Sequence, residues 1–205
     1  MAARSRTRWV ALCGVASPIL LTTTTLIVAY GRPEYSHFKQ TLSELGAVGR
    51  PGADAMNLLG IVPTGILVAL SALPLYRGFG GGKLGAAGAV ALALGGLCLA
   101  GTALTPWRGG TPANVGPVTG NVVHLALAIV GFFGLALSPF FFGLRARRVS
   151  DAGSWTAPSL AAAALIAGLA FWQAPGDYAG AFQRGALGVF FLWLAAASVW
   201  VWRDR

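Results

Sequence analysis

The sequence alternates between long apolar runs and short polar connections, and it contains six such runs. Each run is about 20 residues long, which is the length a helix needs to cross roughly 30 Å of bilayer hydrocarbon at about 1.5 Å per residue. The pattern therefore predicts an all-α, polytopic membrane bundle of six transmembrane helices, forming one domain over residues 1–205. The predicted spans are approximately Trp9–Ala29, Asp54–Tyr76, Leu84–Leu104, Asn121–Leu144, Trp155–Ala174 and Phe182–Trp202.

The composition excludes an ordinary soluble domain. Hydrophobic residues make up 56% of the 205 residues and charged residues only 10%, whereas soluble domains carry about 25% charged residues. The net charge of +9 would suggest a nucleic-acid partner in a soluble protein, but here the basic residues form short clusters between apolar runs. We therefore expect membrane lipid and no nucleic acid as a partner. The first apolar run is longer than the roughly 7–15 residues of a signal peptide, so it is predicted to be an uncleaved helix.

The distribution of basic residues predicts the orientation of the bundle. Ten of the fifteen Lys and Arg lie in the two tails and in the connections on the same side as the tails, and five lie in the connections on the opposite side. Cytoplasmic loops of membrane proteins carry the excess of Lys and Arg. The sequence therefore predicts a multi-pass protein of the cell membrane with its N-terminus and C-terminus in the cytoplasm.

The first outer connection, Tyr30–Ala53, is predicted to contain a short amphipathic helix that ends at Gly46. Its sequence Thr41-Leu-Ser-Glu44 matches a capping box, but Gly46 follows too soon for a helix to begin there, so Glu44 is expected to face the mouth of the bundle. The apolar residues that indicate the helix follow a three-four-three spacing, which lines one helical face. They are Tyr35, Phe38, Leu42 and Leu45.

Polar and ionisable residues gather near the outer ends of the spans. Charge at membrane depth is energetically costly, so each of these residues is expected to have a structural or functional role. We expect them to converge on one outward-facing polar pocket. In an enzymatic version His124 would be the general acid or base, Glu44 or Asp54 would orient it or supply a second proton, and Arg184 would hold a phosphate or carboxylate. The other expected substrate-binding residues are Ser43, Asn57, Asn121 and Gln183.

Three roles are open for His124 at this stage. Its ring would form a hydrogen bond to Asn121 or a loop carbonyl, act on substrate or in proton transfer, or bind a metal. A metal would need Glu44 or Asp54 as a further ligand, and the spacing of these residues matches no known metal site. We therefore expect no metal.

Arg184 and Asp54 each have a structural and a functional interpretation. Arg184 would either pair with Glu44, Asp54 or Asp177 as a clamp, or bind an anionic headgroup. Asp54 lies near a predicted helix start, where a negative charge complements the helix dipole without any further role.

Several short motifs resemble those of the bacterial domain of unknown function 998 family, and the similarity runs over essentially the whole chain. Members of this family are six-helix membrane proteins, so the resemblance implies the same architecture. The family has no assigned activity, so the resemblance implies no catalytic residue. The motifs are Ser43-Glu44-Leu45-Gly46, Asn57 and Gly60, the Thr105-Pro106 loop leading to His124, and Gln183-Arg184.

These observations favour a membrane protein that binds or modifies a lipid-like or isoprenoid-like molecule in an outward-facing pocket. One alternative is a non-catalytic scaffold or accessory protein whose small-residue faces, above all in the third span, bind the helices of a partner protein. A transporter component is a second alternative, and the lack of polar residues in the inner half of the bundle counts against it. No cofactor motif is present, and we expect none. A single cavity surrounded by His124, Glu44 and Arg184 would favour the first hypothesis over the scaffold.

Overall fold

The fold is an α-helical bundle, seen in a computed structural model that describes residues 9–109, 119–172 and 176–204. These residues form no strand. Six of their helical segments are long and apolar enough to cross a membrane, which confirms the predicted fold class. The predicted end of the fifth span at Ala174 and most of the second outer loop lie outside the described residues. The six segments are Trp9–Tyr30, Ala55–Gly78, Gly82–Leu104, Asn121–Ala146, Ser150–Phe171 and Ala179–Asp204.

Eight α-helices are labelled here in chain order. They are α1 (Cys13–Tyr30), α2 (Leu42–Leu45), α3 (Val62–Leu70), α4 (Ala72–Gly78), α5 (Gly82–Leu104), α6 (Thr119–Ala146), α7 (Thr156–Phe171) and α8 (Ala179–Asp204). A π-helical segment, Ala55–Ile61, leads into α3, and 3-10 turns precede α7 and α8. We call the end of the bundle that holds residues 31–54 and 105–109 the loop end, and the opposite end, where α8 finishes, the terminus end.

The second span is built from three pieces because two prolines interrupt its hydrogen-bond ladder. Pro63 has no N–H to donate to the preceding turn, and just before it the Val62 N–H bonds to the carbonyl of Asn57, five residues back, which is the π-helical pattern. Pro74 likewise cannot donate to the end of α3. There the Ser71 hydroxyl donates to the Val68 carbonyl at 2.6 Å, and the chain turns between α3 and α4.

Small residues let α5 pack closely against α3 on one side and α6 on the other. A Cβ placed on Gly65 of α3 would lie 2.7 Å from the backbone nitrogen of Ala100 and closer still to the carbonyl of Gly96. A Cβ on Gly134 of α6 would lie 2.8 Å from the backbone nitrogen of Gly95. Close backbone approach of this kind is how helices associate where lipid provides no hydrophobic drive. The small residues of the third span are therefore used for packing inside this chain.

The helix in the first loop is present, but it is only four residues long. A complete capping box starts it: the Thr41 hydroxyl accepts from the Glu44 N–H at 3.3 Å, and the Glu44 carboxylate accepts from the Thr41 N–H at 2.7 Å. The expectation that Gly46 prevents a helix from beginning here was therefore wrong, because one turn fits before the glycine. Of the residues on the predicted apolar face, Leu42 and Leu45 are buried, whereas Phe38 lies in a turn and is 69% exposed.

Candidate functional site

Two buried asparagines attach the loops to the loop end of the bundle. Asn57 donates from its side-chain amide to the carbonyl of Gly46 at 2.8 Å. The Asn121 side-chain oxygen accepts from the Arg108 N–H at 2.9 Å, and its amide nitrogen donates to the Gly109 carbonyl at 3.3 Å. Both asparagines were predicted to bind substrate, but the hydrogen bonds that their side chains form are to backbone groups of the loops.

His124 is buried and connects α6 to both loops. Its Nδ1 lies 3.0 Å from the carbonyl oxygen of Thr102 and 2.8 Å from that of Thr105, and its Nε2 lies 2.8 Å from the Ser43 hydroxyl. The indole ring of Trp107 packs beside the imidazole with its centroid 5.6 Å away. The hydrogen bond to a loop carbonyl that the sequence suggested is present, and it comes with a serine on the opposite ring nitrogen.

Gln183 links α8 to the short helix α2. Its side-chain oxygen accepts from the backbone N–H of Leu42 at 2.7 Å. The amide group is thereby oriented, because a backbone N–H can bond only to the oxygen of the amide. The amide nitrogen of Gln183 has no hydrogen-bond partner in the part of the chain that the structure describes.

Arg184 holds the first loop by its backbone. One guanidinium nitrogen donates to the carbonyls of His37 at 2.9 Å and Gln40 at 2.7 Å, and also to that of Gly180 in its own helix at 3.1 Å. The other terminal nitrogen donates to the Tyr35 hydroxyl. Among the described residues no carboxylate lies within ion-pair distance of this guanidinium. The predicted pairing with an acidic residue is therefore not the contact that the structure shows.

Neither candidate carboxylate forms a hydrogen bond or ion pair with His124. Glu44 is half-buried and its Oε2 is engaged in the capping box, whereas Asp54 is exposed and forms no side-chain hydrogen bond among the described residues. The orienting contacts of His124 come instead from the carbonyls of Thr102 and Thr105. In the described ranges no three His, Cys, Asp or Glu side chains come together.

None of the main cavities of the described residues is lined by His124, Glu44 and Arg184 together. Glu44 lines an open polar cleft of about 610 Å³ between the two loops, which also holds Arg32. Arg184 lines a different and apolar groove. The contacts of these side chains support the clamp interpretation for most of the polar cluster.

The groove lies between α1 and α8 and has a volume of about 400 Å³. Its walls are almost entirely apolar, and Arg184 and His37 line its mouth at the loop end. Sequence reasoning missed this groove, although its α8 wall follows a helical period that could have revealed it. That wall consists of Arg184, Leu187, Gly188, Phe191, Leu192 and Ala195, and the α1 wall of Pro18, Leu21, Thr22, Thr25 and Leu26.

The mouth of the groove carries one positive charge. Burial and the nearby Arg184 cation both lower the pKa of His37, and burial raises the pKa of Tyr35. Both side chains are therefore neutral at pH 7, so the charge at the mouth comes from Arg184. A cation at the end of an apolar groove favours an anionic group there.

The chain matches the family model described as "Protein of unknown function (DUF998)" over residues 15–200. Searches of curated proteins and of solved structures return no match. The matched range begins inside α1 and ends inside α8, so it includes four spans in full, most of the first and last spans, and the candidate site residues described above. This six-span membrane protein belongs to the DUF998 family.

Proposed function

We propose that the protein binds a lipid-like molecule in the groove between α1 and α8, with an acyl or isoprenoid chain along the groove and an anionic headgroup at Arg184. The observation that carries this proposal is a guanidinium, without an ion-pair partner among the described residues, at the mouth of an apolar groove of about 400 Å³. Ligand pockets that hold small molecules have volumes of about 300–1,000 Å³ and apolar walls with a few polar groups at fixed positions. The groove has these properties.

Arg184 retains hydrogen-bonding capacity for such a headgroup. A guanidinium has five N–H donors, and the contacts to the loop use both protons of one terminal nitrogen and one proton of the other. The Nε–H and one further N–H have no partner among the described residues. Charge-assisted bonds from arginine to phosphate or carboxylate are the strongest hydrogen bonds that a side chain offers.

The packing of the third span favours a lipid over a partner helix as the ligand. A scaffold protein would present its small-residue faces to a partner, but the glycines at the α3–α5 and α5–α6 contacts face other helices of this chain. The groove, in contrast, contains Gly188, where a Cβ would have no atom within 4 Å. An open cleft that faces the bilayer is directly accessible to lipid chains.

The proposal also includes an orientation. Ten of the fifteen basic residues belong to the terminus end and its tails, and the positive-inside rule assigns that end to the cytoplasm. The groove mouth and both loops would then face outward from the cell membrane.

A lipid with a photoactivatable diazirine in its chain tests the proposal on the full-length protein in nanodiscs. We expect an anionic phosphate lipid to cross-link to Leu26 of α1 and Leu192 of α8, located by peptide mass spectrometry, and a zwitterionic lipid to cross-link less. Gly188→Leu fills the groove and should abolish these cross-links. Gly168→Leu is the matched control, because Gly168 is also helical, an added Cβ there would have no atom within 4 Å, and it lies on α7 away from the groove.

Removing Arg184 is a less direct test because that side chain also holds the loop. The Gly188→Leu variant leaves those hydrogen bonds in place. Equal cross-linking of the wild type and Gly188→Leu, or cross-links spread evenly over all lipid-facing helices, would exclude a specific site in the groove.

A further inference from the structure

The contact between Ser43 and His124 has a fixed direction. Thr102 and Thr105 present carbonyl oxygens to Nδ1, and a carbonyl only accepts, so Nδ1 carries the ring proton. In the neutral imidazole Nε2 is then the acceptor, and the Ser43 hydroxyl donates to it across 2.8 Å. The serine proton thus points at the lone pair of a histidine whose tautomer is set by the backbone.

This arrangement is that of a serine nucleophile and its general base. Such pairs need a hydroxyl within about 2.6–3.2 Å of the base and a third group that orients the base. The third group is often a carboxylate that bonds to Nδ1–H. Here the carbonyls of Thr102, in the last turn of α5, and of Thr105, directly after it, take that place.

Ser43 also faces space in the centre of the bundle. It lines a small cavity of about 40 Å³ together with Gln183 and apolar side chains from α1, α5, α6 and α8. The Gln183 oxygen is engaged by the Leu42 N–H, so the amide nitrogen, which has no hydrogen-bond partner among the described residues, is the donor that this side chain can offer to a molecule in the cavity. A donor held beside a nucleophile is what stabilises the oxyanion that develops when an ester carbonyl is attacked.

The cavity adjoins the lipid groove. Three leucines, Leu21, Leu42 and Leu187, line both spaces, so their side chains form a wall that the cavity and the groove share. If these leucine side chains rotate away, the wall opens and the ester of a lipid in the groove can reach Ser43.

We propose that Ser43 is the nucleophile, His124 the general base and Gln183 the oxyanion donor of an acyl-transfer site that acts on the ester of a membrane lipid. The choice of a lipid substrate rests on the proposed function of the groove. The Ser43 oxygen attacks the ester carbonyl while its proton passes to Nε2 of His124. The bond to the leaving alcohol breaks, His124 returns the proton to that alcohol, and an acyl-serine remains. Water or a second alcohol then releases the acyl group by the reverse proton transfers, giving a fatty acid or a new ester.

Alkyl fluorophosphonates test this site, because an activated serine forms an O–P bond to them and expels fluoride. We expect a long-chain probe to modify the full-length protein once, with the adduct mapped to Ser43 by peptide mass spectrometry. Mapping on the wild type does not depend on the folding of any variant. Ser43→Ala should remove the adduct, and Ser150→Ala, at an exposed serine, should retain it.

Two further variants test the partners of Ser43. His124→Gln should slow labelling by roughly 10²–10⁴-fold, which is the usual contribution of a general base. Gln183→Glu keeps an oxygen for the Leu42 N–H but loses the amide donor, and should slow labelling by roughly 10²–10³-fold. Rates equal to wild type in both variants would mean that Ser43 is not activated by this arrangement.

The outcomes separate this inference from the proposed function. If neither a long-chain nor an ethyl fluorophosphonate modifies Ser43 while the photoactivatable lipid still cross-links to the groove, the nucleophile is refuted and lipid binding stands. If only the ethyl probe modifies Ser43, the serine–histidine pair stands and the lipid ester is excluded as its substrate. Modification at other serines alone would refute the assignment.

Discussion

Asn57 and Gly46 join the second span to the first loop by a single buried contact. The Asn57 amide donates to the Gly46 carbonyl at 2.8 Å, and a Cβ on Gly46 would lie only 3.1 Å from the Asn57 Cγ. The contact follows directly after α2, the helix that carries Ser43 and Leu42. The hydrogen bond therefore fixes the position of α2 relative to the second span along the bundle axis.

Asn57→Ala is expected to destabilise the protein by about 1–3 kcal/mol, because the buried Gly46 carbonyl loses its donor. Thermal unfolding of the purified protein in detergent, followed by circular dichroism, measures the effect. Asp54→Ala is the matched control three residues earlier, and at that exposed position we expect a change within about 0.5 kcal/mol. Equal losses in the two variants would show that the Asn57 bond contributes nothing specific.

The fold could be predicted from the sequence because the length of an apolar run has one physical meaning in a bilayer. The third span was predicted as Leu84–Leu104 and is found as Gly82–Leu104. The interruption of the second span into three pieces was harder to predict, because proline removes a bond without determining how the helix repairs it.

The candidate site was predicted less well than the fold. The polar residues do gather at one end, but their partners are mostly backbone carbonyls, which carry no signal in a sequence. The hydrogen bond from Ser43 to His124 joins positions that are 81 residues apart. Nothing in the spacing of either residue indicated that the serine, and not Glu44 or Asp54, would contact the imidazole.

The protein is expected to lose stability as the pH falls below about 6.5, the usual pKa of histidine. Burial and the facing Arg184 cation lower the pKa of His37 in the folded state, so the unfolded chain binds the proton more readily. The stabilising contribution of the neutral His37 is complete above the unfolded pKa and declines as the pH drops towards the folded pKa. Thermal unfolding at pH 7.5 and pH 5.5 measures this decline.

His37→Gln removes this titration while keeping a polar side chain of similar reach. We expect the variant to show a smaller difference in melting temperature between the two pH values than the wild type. The part of the difference that remains belongs to the other titrating groups of the chain. An unchanged difference would mean that His37 is protonated as easily in the folded protein as in the unfolded chain.

Cysteine labelling on intact cells tests which end of the bundle faces outward. In a background with Cys13→Ala and Cys98→Ala, which removes both native cysteines, one variant carries Val48→Cys at the loop end and another carries Ser150→Cys at the terminus end. Both positions are exposed, with Val48 at 55%. A membrane-impermeant maleimide should label Val48→Cys on intact cells and Ser150→Cys only after permeabilisation, because the positive-inside rule assigns the end with the excess of basic residues to the cytoplasm. Permeabilised cells, in which both variants should react, show that each cysteine is accessible. The opposite pattern would reverse the orientation and would place the Arg184 end of the groove on the cytoplasmic side.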